Sequence, residues 1–210
     1  MVRIEGLRDA PTYRGEAKMS CEKACGTCAS IRSATLQLVG DRGLSGVSLD
    51  ALVERTKLTP AQVRSHYPTV QACVSDTYER VSMDLLGIMA DSFSRSRSWS
   101  DAVTSGVGNV LKRLARRPAE ARLCFVEVLR GDRDLLWRRE NMRQLTVELL
   151  TAEHNSRNDT EQLSTMQHEL LVGASFHLIS SRVEDGQIDG LLELGPELAE
   201  LAGMFEPIAA

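Results

Sequence analysis

Aromatic residues are scarce in this chain, at 4% of its residues, and runs of β-branched residues of the strand type are absent. No apolar run approaches the ~20 residues of a membrane-spanning helix. No charged segment followed by an apolar one indicates a signal peptide. We therefore expect a cytoplasmic protein with no membrane partner. Hydrophobic residues make up 42% of the 210, which is enough for a packed core in one or two domains.

A general excess of positive charge is also missing, since the formal net charge is −4. Residues 1–80 carry eleven Lys and Arg against nine Asp and Glu, so the acidic excess lies in residues 81–210. Binding to nucleic acid would therefore depend on a few well-placed cations and helix N-termini.

Catalytic patterns are absent as well. The histidines are scattered, and there is no Ser–His–Asp order, phosphate-binding loop or His-Glu-x-x-His helix. We therefore predict that the protein is not an enzyme and needs no cofactor. His168 and His177 lie nine residues apart, and each is either a structural histidine or part of a ligand cavity.

The stretch from Ser48 to Val74 is the most informative part of the chain. Ser48 is a typical N-cap, and the residues after it have helical spacing up to a corner at Lys57 and Leu58. This pattern predicts a short helix that ends in a tight turn.

A second short helix follows that turn. Thr59 and Gln62 form a Thr-x-x-Gln capping box, and Pro60 suits the first helical position. Pro68 ends the helix, and Thr69 caps a third one. Two short helices joined by a corner are typical of a helix-turn-helix, whose second helix enters the major groove of DNA.

The region from Ile31 to Val74 resembles the DNA-binding domain of the tetracycline-repressor (TetR) family of bacterial regulators. The matching residues are Ile31, Ala34, Thr35, Leu38 and Val39, then Asp41-Arg42-Gly43-Leu44, and then His66-Tyr67-Pro68-Thr69. Val70 departs from the pattern, because the family typically has a lysine there. Residues 173–198 resemble the last two helices of the family, which pair with their symmetry mates.

The resemblance implies an all-α protein with an N-terminal three-helix helix-turn-helix DNA-binding domain and a C-terminal helical ligand-binding and dimerisation bundle. We place a flexible N-terminal arm with a cysteine cluster at residues 1–28, the DNA-binding domain at 29–75, and the effector-binding and dimerisation domain at 76–210. The expected function is transcriptional regulation, as a homodimeric repressor that a small, mainly apolar ligand releases from palindromic double-stranded DNA. The helices 160–183 and 196–205 would form the dimer interface. An all-helical interaction module that has lost DNA binding is the alternative.

Side chains expected to contact DNA lie on and around the second short helix. Gln62 is the candidate base reader, since its amide can form two hydrogen bonds with adenine. Thr59 and Ala61 offer a hydroxyl and a methyl group to base edges, and Arg64 offers a cation to phosphate or guanine. The expected phosphate contacts come from Ser48, His66, Tyr67 and Thr69.

An effector cavity is expected between the helices that begin at Ser100, Pro118, Asp132 and Thr160, with the helix from Thr69 as the link to the DNA-binding domain. Flexible thioethers and a few aromatic rings suit an adaptable apolar pocket. The candidate ligand-binding residues are Met89, Phe93, Val107, Phe125, Trp137, Met142, Met166, Phe176 and His177.

Cys21, Cys25 and Cys28 form a Cys-x3-Cys-x2-Cys cluster. This spacing matches the cluster-ligating loop of radical S-adenosylmethionine enzymes, but the chain lacks the strands of their barrel. With a fourth ligand, the thiolates could hold zinc or an iron–sulfur cluster in a metal- or redox-sensing regulator. If the segment is helical, the three thiols share one face and could instead pack on the first helix.

Overall fold

The computed structural model describes residues 25–157 and 164–203, and its regular structure in these ranges is entirely helical. The α-helices are α1 Gly26–Arg42, α2 Leu49–Thr56, α3 Pro60–His66, α4 Val70–Arg95, α5 Trp99–Arg116, α6 Pro118–Phe125, α7 Arg133–Arg157, α8 Thr165–Glu184 and α9 Leu194–Gly203. Short 3-10 turns lie at Leu44–Gly46, Glu127–Arg130 and Asp189–Glu193. The all-α fold expected from the sequence is confirmed.

Helices α1, α2 and α3 fold around a small core against the first turns of α4. Ser48 caps α2, and Lys57 ends it in a left-handed conformation with φ of 60°. Thr59 and Gln62 form the capping box of α3. The local signals of the sequence therefore produce the helix-turn-helix, and its buried residues include Ile31, Leu38, Val39, Leu52, Val63, Tyr67 and Cys73.

The first helix begins earlier than expected. Cys25 is the N-cap of α1, and its Sγ accepts a hydrogen bond from the backbone N–H of Cys28 at 3.2 Å. The boundary that we placed at residue 28 therefore falls inside α1, and Cys25 and Cys28 belong to the helix rather than to an arm. Cys21 lies outside the described residues.

Two helix starts in the second unit, the bundle formed by α5 to α9 with the second half of α4, also differ from the sequence-based expectation. The N-cap of α5 is Ser98 and not Ser100, because the Ser98 hydroxyl accepts from Asp101 N at 3.1 Å. The cap of α8 is Ser164, in a capping box with Gln167. The expected cap of that helix, Thr160, lies outside the described residues.

Helix α4 is 26 residues long and joins the two units. Helices α5 to α9 surround its second half, with α5 packed between α4 and α9, and α7 packed on both α4 and α8. No helix among the described residues is long and apolar enough to cross a membrane.

The turn after α1 is held by the segment that follows α6. The buried carboxylate of Glu127 accepts a hydrogen bond from the backbone N–H of Leu44 at 2.8 Å, and Arg122 donates to the carbonyl of Gly40 at 3.1 Å. Gly43 has φ of 71°, and a Cβ there would lie 2.9 Å from both Glu127 carboxylate oxygens. Glycine is therefore required at this position both by conformation and by space.

Candidate functional site

Helix α3 turns one side to the core and the other to solvent. Val63 is buried, whereas Ala61, Gln62 and Arg64 are exposed. The expected phosphate-contacting caps are also exposed, and the hydroxyl of each accepts a backbone N–H at the start of its helix: Ser48 on α2, Thr59 on α3 and Thr69 on α4. The structure thus brings most of the residues chosen for DNA contact to the surface around α3.

Gln62 is already engaged through its oxygen. Its Oε1 accepts hydrogen bonds from Thr59 N at 2.8 Å and from Thr59 Oγ1 at 3.0 Å. Two hydrogen bonds to adenine need both the carbonyl oxygen and the NH2 group of the amide. In this capped state only the NH2 group is available to a base, so the expected two-bond contact conflicts with the capping box.

Tyr67 is not at the surface, since only 1% of it is exposed. Its hydroxyl donates to Asp76 at 2.6 Å and accepts from Arg32 at 3.2 Å, and Arg32 also pairs with Asp76 at 3.1 Å. Burial and the hydrogen bond to Asp76 raise the pKa of Tyr67. The phosphate contact expected of Tyr67 is therefore wrong, and the residue instead joins the end of α3 to α1 and α4.

His66, the last residue of α3, faces the thiols at the start of α1. Its Nδ1 lies 3.4 Å from Cys28 Sγ and 3.7 Å from Cys25 Sγ. The expected phosphate contact is therefore not made through this nitrogen. No pattern in the sequence indicated that His66 lies next to Cys25 and Cys28.

An apolar cavity of about 80 Å³ lies inside the second unit, lined by residues of α4, α5, α6, α7 and α8. None of the residues that line it is charged. The hydroxyls of Thr146 and Ser175 face carbonyls of their own helices, at 2.9 Å from Met142 O and 2.7 Å from Leu171 O. The lining therefore suits a neutral, apolar group.

Five of the nine candidate ligand-binding residues line this cavity: Met89, Val107, Phe125, Met142 and Phe176. The other four do not. Phe93 is buried in the adjoining core, with its ring centre 6.5 Å from that of Trp99. Trp137, Met166 and His177 are exposed, because they lie on the outer faces of α7 and α8.

Helix α4 contributes more of the cavity wall than the sequence predicted. Of its residues only Met89 and Phe93 were expected to contact a ligand, but Tyr78, Ser82 and Leu85 line the cavity together with Met89. These positions follow the 3.6-residue period, and this spacing is the signal that could have found them.

Arg139 is the cation next to this cavity. Its guanidinium carbon lies 5.8 Å from the centre of the Phe176 ring, which lines the cavity. Its Nε is buried and has no hydrogen-bond partner in the part of the chain that the structure describes. A buried donor of this kind is costly unless a partner is supplied.

His168 is buried away from the cavity lining. It packs edge-on against Trp99, with ring centres 5.8 Å apart, and lies 5.5 Å from the ring of His154. Burial, and then the nearby His154, lower the pKa of His168. His168 is therefore a structural histidine.

Helix α8 carries an exposed apolar stripe. Met166 and Leu170 are 70% and 58% exposed, and Gly173 and His177 continue the same face. Among the described residues, no atom lies within 4 Å of a Cβ placed on Gly173.

A three-helix helix-turn-helix unit attached to a helical bundle defines the TetR-like fold, and this chain has that fold. No protein-family model matches the sequence, and no curated protein sequence matches it. Similarity to solved structures is extensive, however.

The structure is similar to that of the fatty acid degradation regulator FadR from Bacillus halodurans, with a TM-score of 0.75 and 12% identity over 86% of this chain and 96% of that one. FadR from Bacillus subtilis, solved in complex with stearoyl-CoA, gives a TM-score of 0.72 and 11% identity over 86% of this chain and 99% of that one. A TetR family regulator from Marinobacter aquaeolei VT8 gives 0.62 and 18% identity over 83% and 92%. At such identities the comparisons establish the fold.

Proposed function

We propose that this protein is a DNA-binding transcriptional regulator whose helix α3 enters the major groove. The observation that carries the proposal is the two-sided character of α3. The buried Val63 packs the helix against the core, whereas Ala61, Gln62 and Arg64 near its capped N-terminus are exposed to solvent. The solved structures that share this fold include transcriptional regulators, which supports the assignment.

Arg64 supplies the cation of this surface, and the exposed N-caps Ser48, Thr59 and Thr69 place helix N-termini where phosphates can approach. Because the whole chain has a net charge of −4, affinity depends on these local contacts. We expect Gln62 to donate its NH2 group to a base while its oxygen keeps the capping box intact.

The regulator acts as a homodimer through α8 and α9. On α8, the exposed stripe consists of the apolar side chains of Met166 and Leu170 and, next to them, Gly173, which has no side chain. Such a surface permits close approach of the same helix from a second copy. A dimer would place two α3 helices on successive major-groove turns, about 34–36 Å apart.

The effector is a small, mainly apolar molecule that binds in the cavity of the second unit. A cavity of about 80 Å³ is smaller than the ~150 Å³ that accommodates benzene. A ligand must therefore displace side chains, and the flexible Met89 and Met142 are suited to that. Because a neighbour with this fold was solved with stearoyl-CoA, acyl compounds are the first class to test. Arg139 would meet an anionic end group.

Ligand binding would reach the DNA-binding unit through α6. Phe125 lines the cavity, and Glu127, two residues later, holds the backbone of Leu44 after α1. Arg122, which lies on α6 one turn before Phe125, donates a hydrogen bond to the backbone carbonyl of Gly40. A ligand that shifts Phe125 therefore shifts the support of the helix-turn-helix. A coupling of ~1–3 kcal/mol would change DNA affinity about 5–150-fold.

Selection of duplexes from a random library, followed by fluorescence anisotropy on the enriched sequence, tests the proposal. Arg64→Ala should weaken binding by about 1–3 kcal/mol. Gln62→Glu keeps an oxygen for the capping box and removes the NH2 donor, so it should relax preference at one base pair. Arg80→Ala is the matched control, because Arg80 is an exposed arginine on α4 with 69% of its side chain accessible.

Enrichment of no sequence, at low and at physiological salt, would contradict DNA binding and favour the interaction module. Equal effects of Arg64→Ala and Arg80→Ala would contradict the placement of α3 in the groove.

A further inference from the structure

Potential metal ligands meet where the end of α3 touches the beginning of α1. Cys25 is the N-cap of α1 and Cys28 lies in its first turn, while His66 is the last residue of α3. One ligand atom from each of the three lies within 4.8 Å of the other two. In the sequence the two cysteines group with Cys21, whereas the structure places next to them a histidine 38 residues beyond Cys28.

The distances fit a single metal ion. Tetrahedral zinc, with Zn–S bonds of about 2.3 Å and a Zn–N bond of about 2.05 Å, separates sulfur from nitrogen by about 3.6 Å. The observed distances from His66 Nδ1 are 3.4 Å to Cys28 Sγ and 3.7 Å to Cys25 Sγ. Both sulfur–nitrogen distances are therefore within about 0.2 Å of those of a tetrahedral zinc site, and the two sulfur atoms lie within 4.8 Å of each other.

The local chemistry also favours a metal over ordinary hydrogen bonds. A neutral imidazole Nδ1 has either one proton or one lone pair, so it makes one good hydrogen bond at a time. Here two sulfur atoms lie at hydrogen-bonding distance from the same Nδ1 atom. The Cys25 sulfur also accepts the Cys28 N–H at 3.2 Å, so its lone pairs point toward the first turn of α1 where Cys28 lies. Cys-x2-Cys is, in addition, the usual spacing of paired zinc ligands.

We propose that Cys25, Cys28 and His66 bind one divalent transition-metal ion of the zinc class, which fastens the end of the recognition helix α3 to the start of α1. The fourth position of the ion is taken by water or another donor. Metal binding itself does not depend on the proposed DNA-binding function. If that function holds, the ion also fixes the orientation in which α3 is presented.

The reaction conserves charge and needs no oxidant. The two thiols each lose their proton to solvent, and the thiolates and the Nδ1 lone pair of His66 form bonds to the ion, while the imidazole proton stays on Nε2. Affinity should therefore decrease as the pH falls, because protons compete with the metal for these ligands.

The test uses the full chain, purified under reducing conditions, stripped with a chelator and titrated with Zn²⁺ or Co²⁺. We expect one ion per chain. The Co²⁺ form should show thiolate-to-metal charge transfer and the intense visible bands of tetrahedral coordination. Zn²⁺ should raise the melting temperature.

Cys25→Ser is the sharpest variant, because serine remains a good N-cap while the thiolate is lost. Cys25→Ser and His66→Gln should each lower metal affinity by about 100-fold or more, beyond the 10–100-fold typical of changes around a metal site. Cys73→Ser is the matched control. Cys73 is a buried thiol in the same unit. It is hydrogen-bonded to Thr35 Oγ1 at 3.0 Å, and its burial raises its pKa to about 11. This variant should bind metal like the unmodified chain.

Several results would overturn the proposal. Octahedral Co²⁺ spectra without charge transfer, or metal binding that Cys25→Ser and His66→Gln leave unchanged, would exclude this ligand set. A disulfide mapped to Cys25 and Cys28 in protein purified without reductant, together with no metal binding by the fully reduced chain, would show that the two cysteines form a redox pair instead. Should a variant fail to fold, the stoichiometry and Co²⁺ spectrum of the unmodified chain decide the question.

Discussion

Glu127→Ala should destabilise the protein far more than removal of any surface carboxylate. The carboxylate of Glu127 is only 4% exposed and has three partners in different segments. They are Leu44 N at 2.8 Å, Arg122 Nε at 3.2 Å and Arg130 Nη1 at 3.1 Å. The substitution leaves the turn after α1 without its support.

The magnitude follows from what each partner loses. Arg122 and Arg130 are 39% and 55% exposed, so water replaces much of their interaction. The Leu44 N–H is part-buried and loses a hydrogen bond to a charged group, worth about 1.5–3 kcal/mol. Relief of the buried charge offsets part of this loss. We therefore expect about 2 kcal/mol, equivalent to about 4–8 °C in a chain of this length.

Chemical and thermal unfolding, followed by circular dichroism, measure the effect. Glu184→Ala is the control, because Glu184 also pairs with Arg130, at 3.0 Å, but is 62% exposed. It should cost no more than about 0.5 kcal/mol. Glu127→Gln keeps an acceptor for Leu44 N and should fall between the two. Equal losses in Glu127→Ala and Glu184→Ala would refute the role assigned to Glu127.

Four further predictions concern other parts of the molecule. Because burial and His154 lower the pKa of His168, the folded state protonates this imidazole at a lower pH than the unfolded chain, which takes up its proton below about pH 6.5. The urea midpoint should therefore fall as the pH drops from about 7.5 to about 5.5, and His168→Gln should flatten this dependence. Leu170→Glu should yield monomers in light scattering, whereas a dimer of unchanged stability would contradict the α8 interface. Val107→Phe should fill the cavity and abolish the response of DNA binding to effectors, with stability lowered by no more than about 1–3 kcal/mol, the range typical of a small-to-large core change; a retained response would place the effector elsewhere. Tyr67→Phe should cost about 1.5–3 kcal/mol in denaturant unfolding, because it removes a hydrogen bond to the Asp76 carboxylate, and leave DNA affinity unchanged; a large, selective loss of DNA affinity would instead favour the phosphate contact.

The sequence predicted the helix-turn-helix well, and the reason is local. Ser48, Thr59 and Thr69 each cap a helix through a hydrogen bond to a backbone N–H three residues later. Pro68 ends α3 through its own backbone restrictions, whereas Lys57 ends α2 in a left-handed conformation that lysine does not favour. Such signals span only a few residues, so they can be recognised without the fold. Helix starts were misplaced where two serines competed, as at Ser98 and Ser100.

Side-chain roles were predicted less well, because they depend on which face of a helix is covered. Met166 and His177 belong to the same helix as Phe176, yet only Phe176 lines the cavity. Helical spacing shows which residues share a face, but not which face the neighbouring helices bury. Tyr67 was assigned to DNA for the same reason, although its hydroxyl is held by Asp76 inside the protein.

By itself the sequence determined the order of the helices, their caps and corners, and the exposed character of α3, since each of these is encoded within one or two helical turns. Only the tertiary structure decided which distant residues meet. It brings Glu127 to Leu44 across 83 residues and His66 to Cys28 across 38. These contacts arise from the packing of α6 on α1 and of α3 on α1, and packing is fixed by the shape of whole helix surfaces rather than by any short pattern.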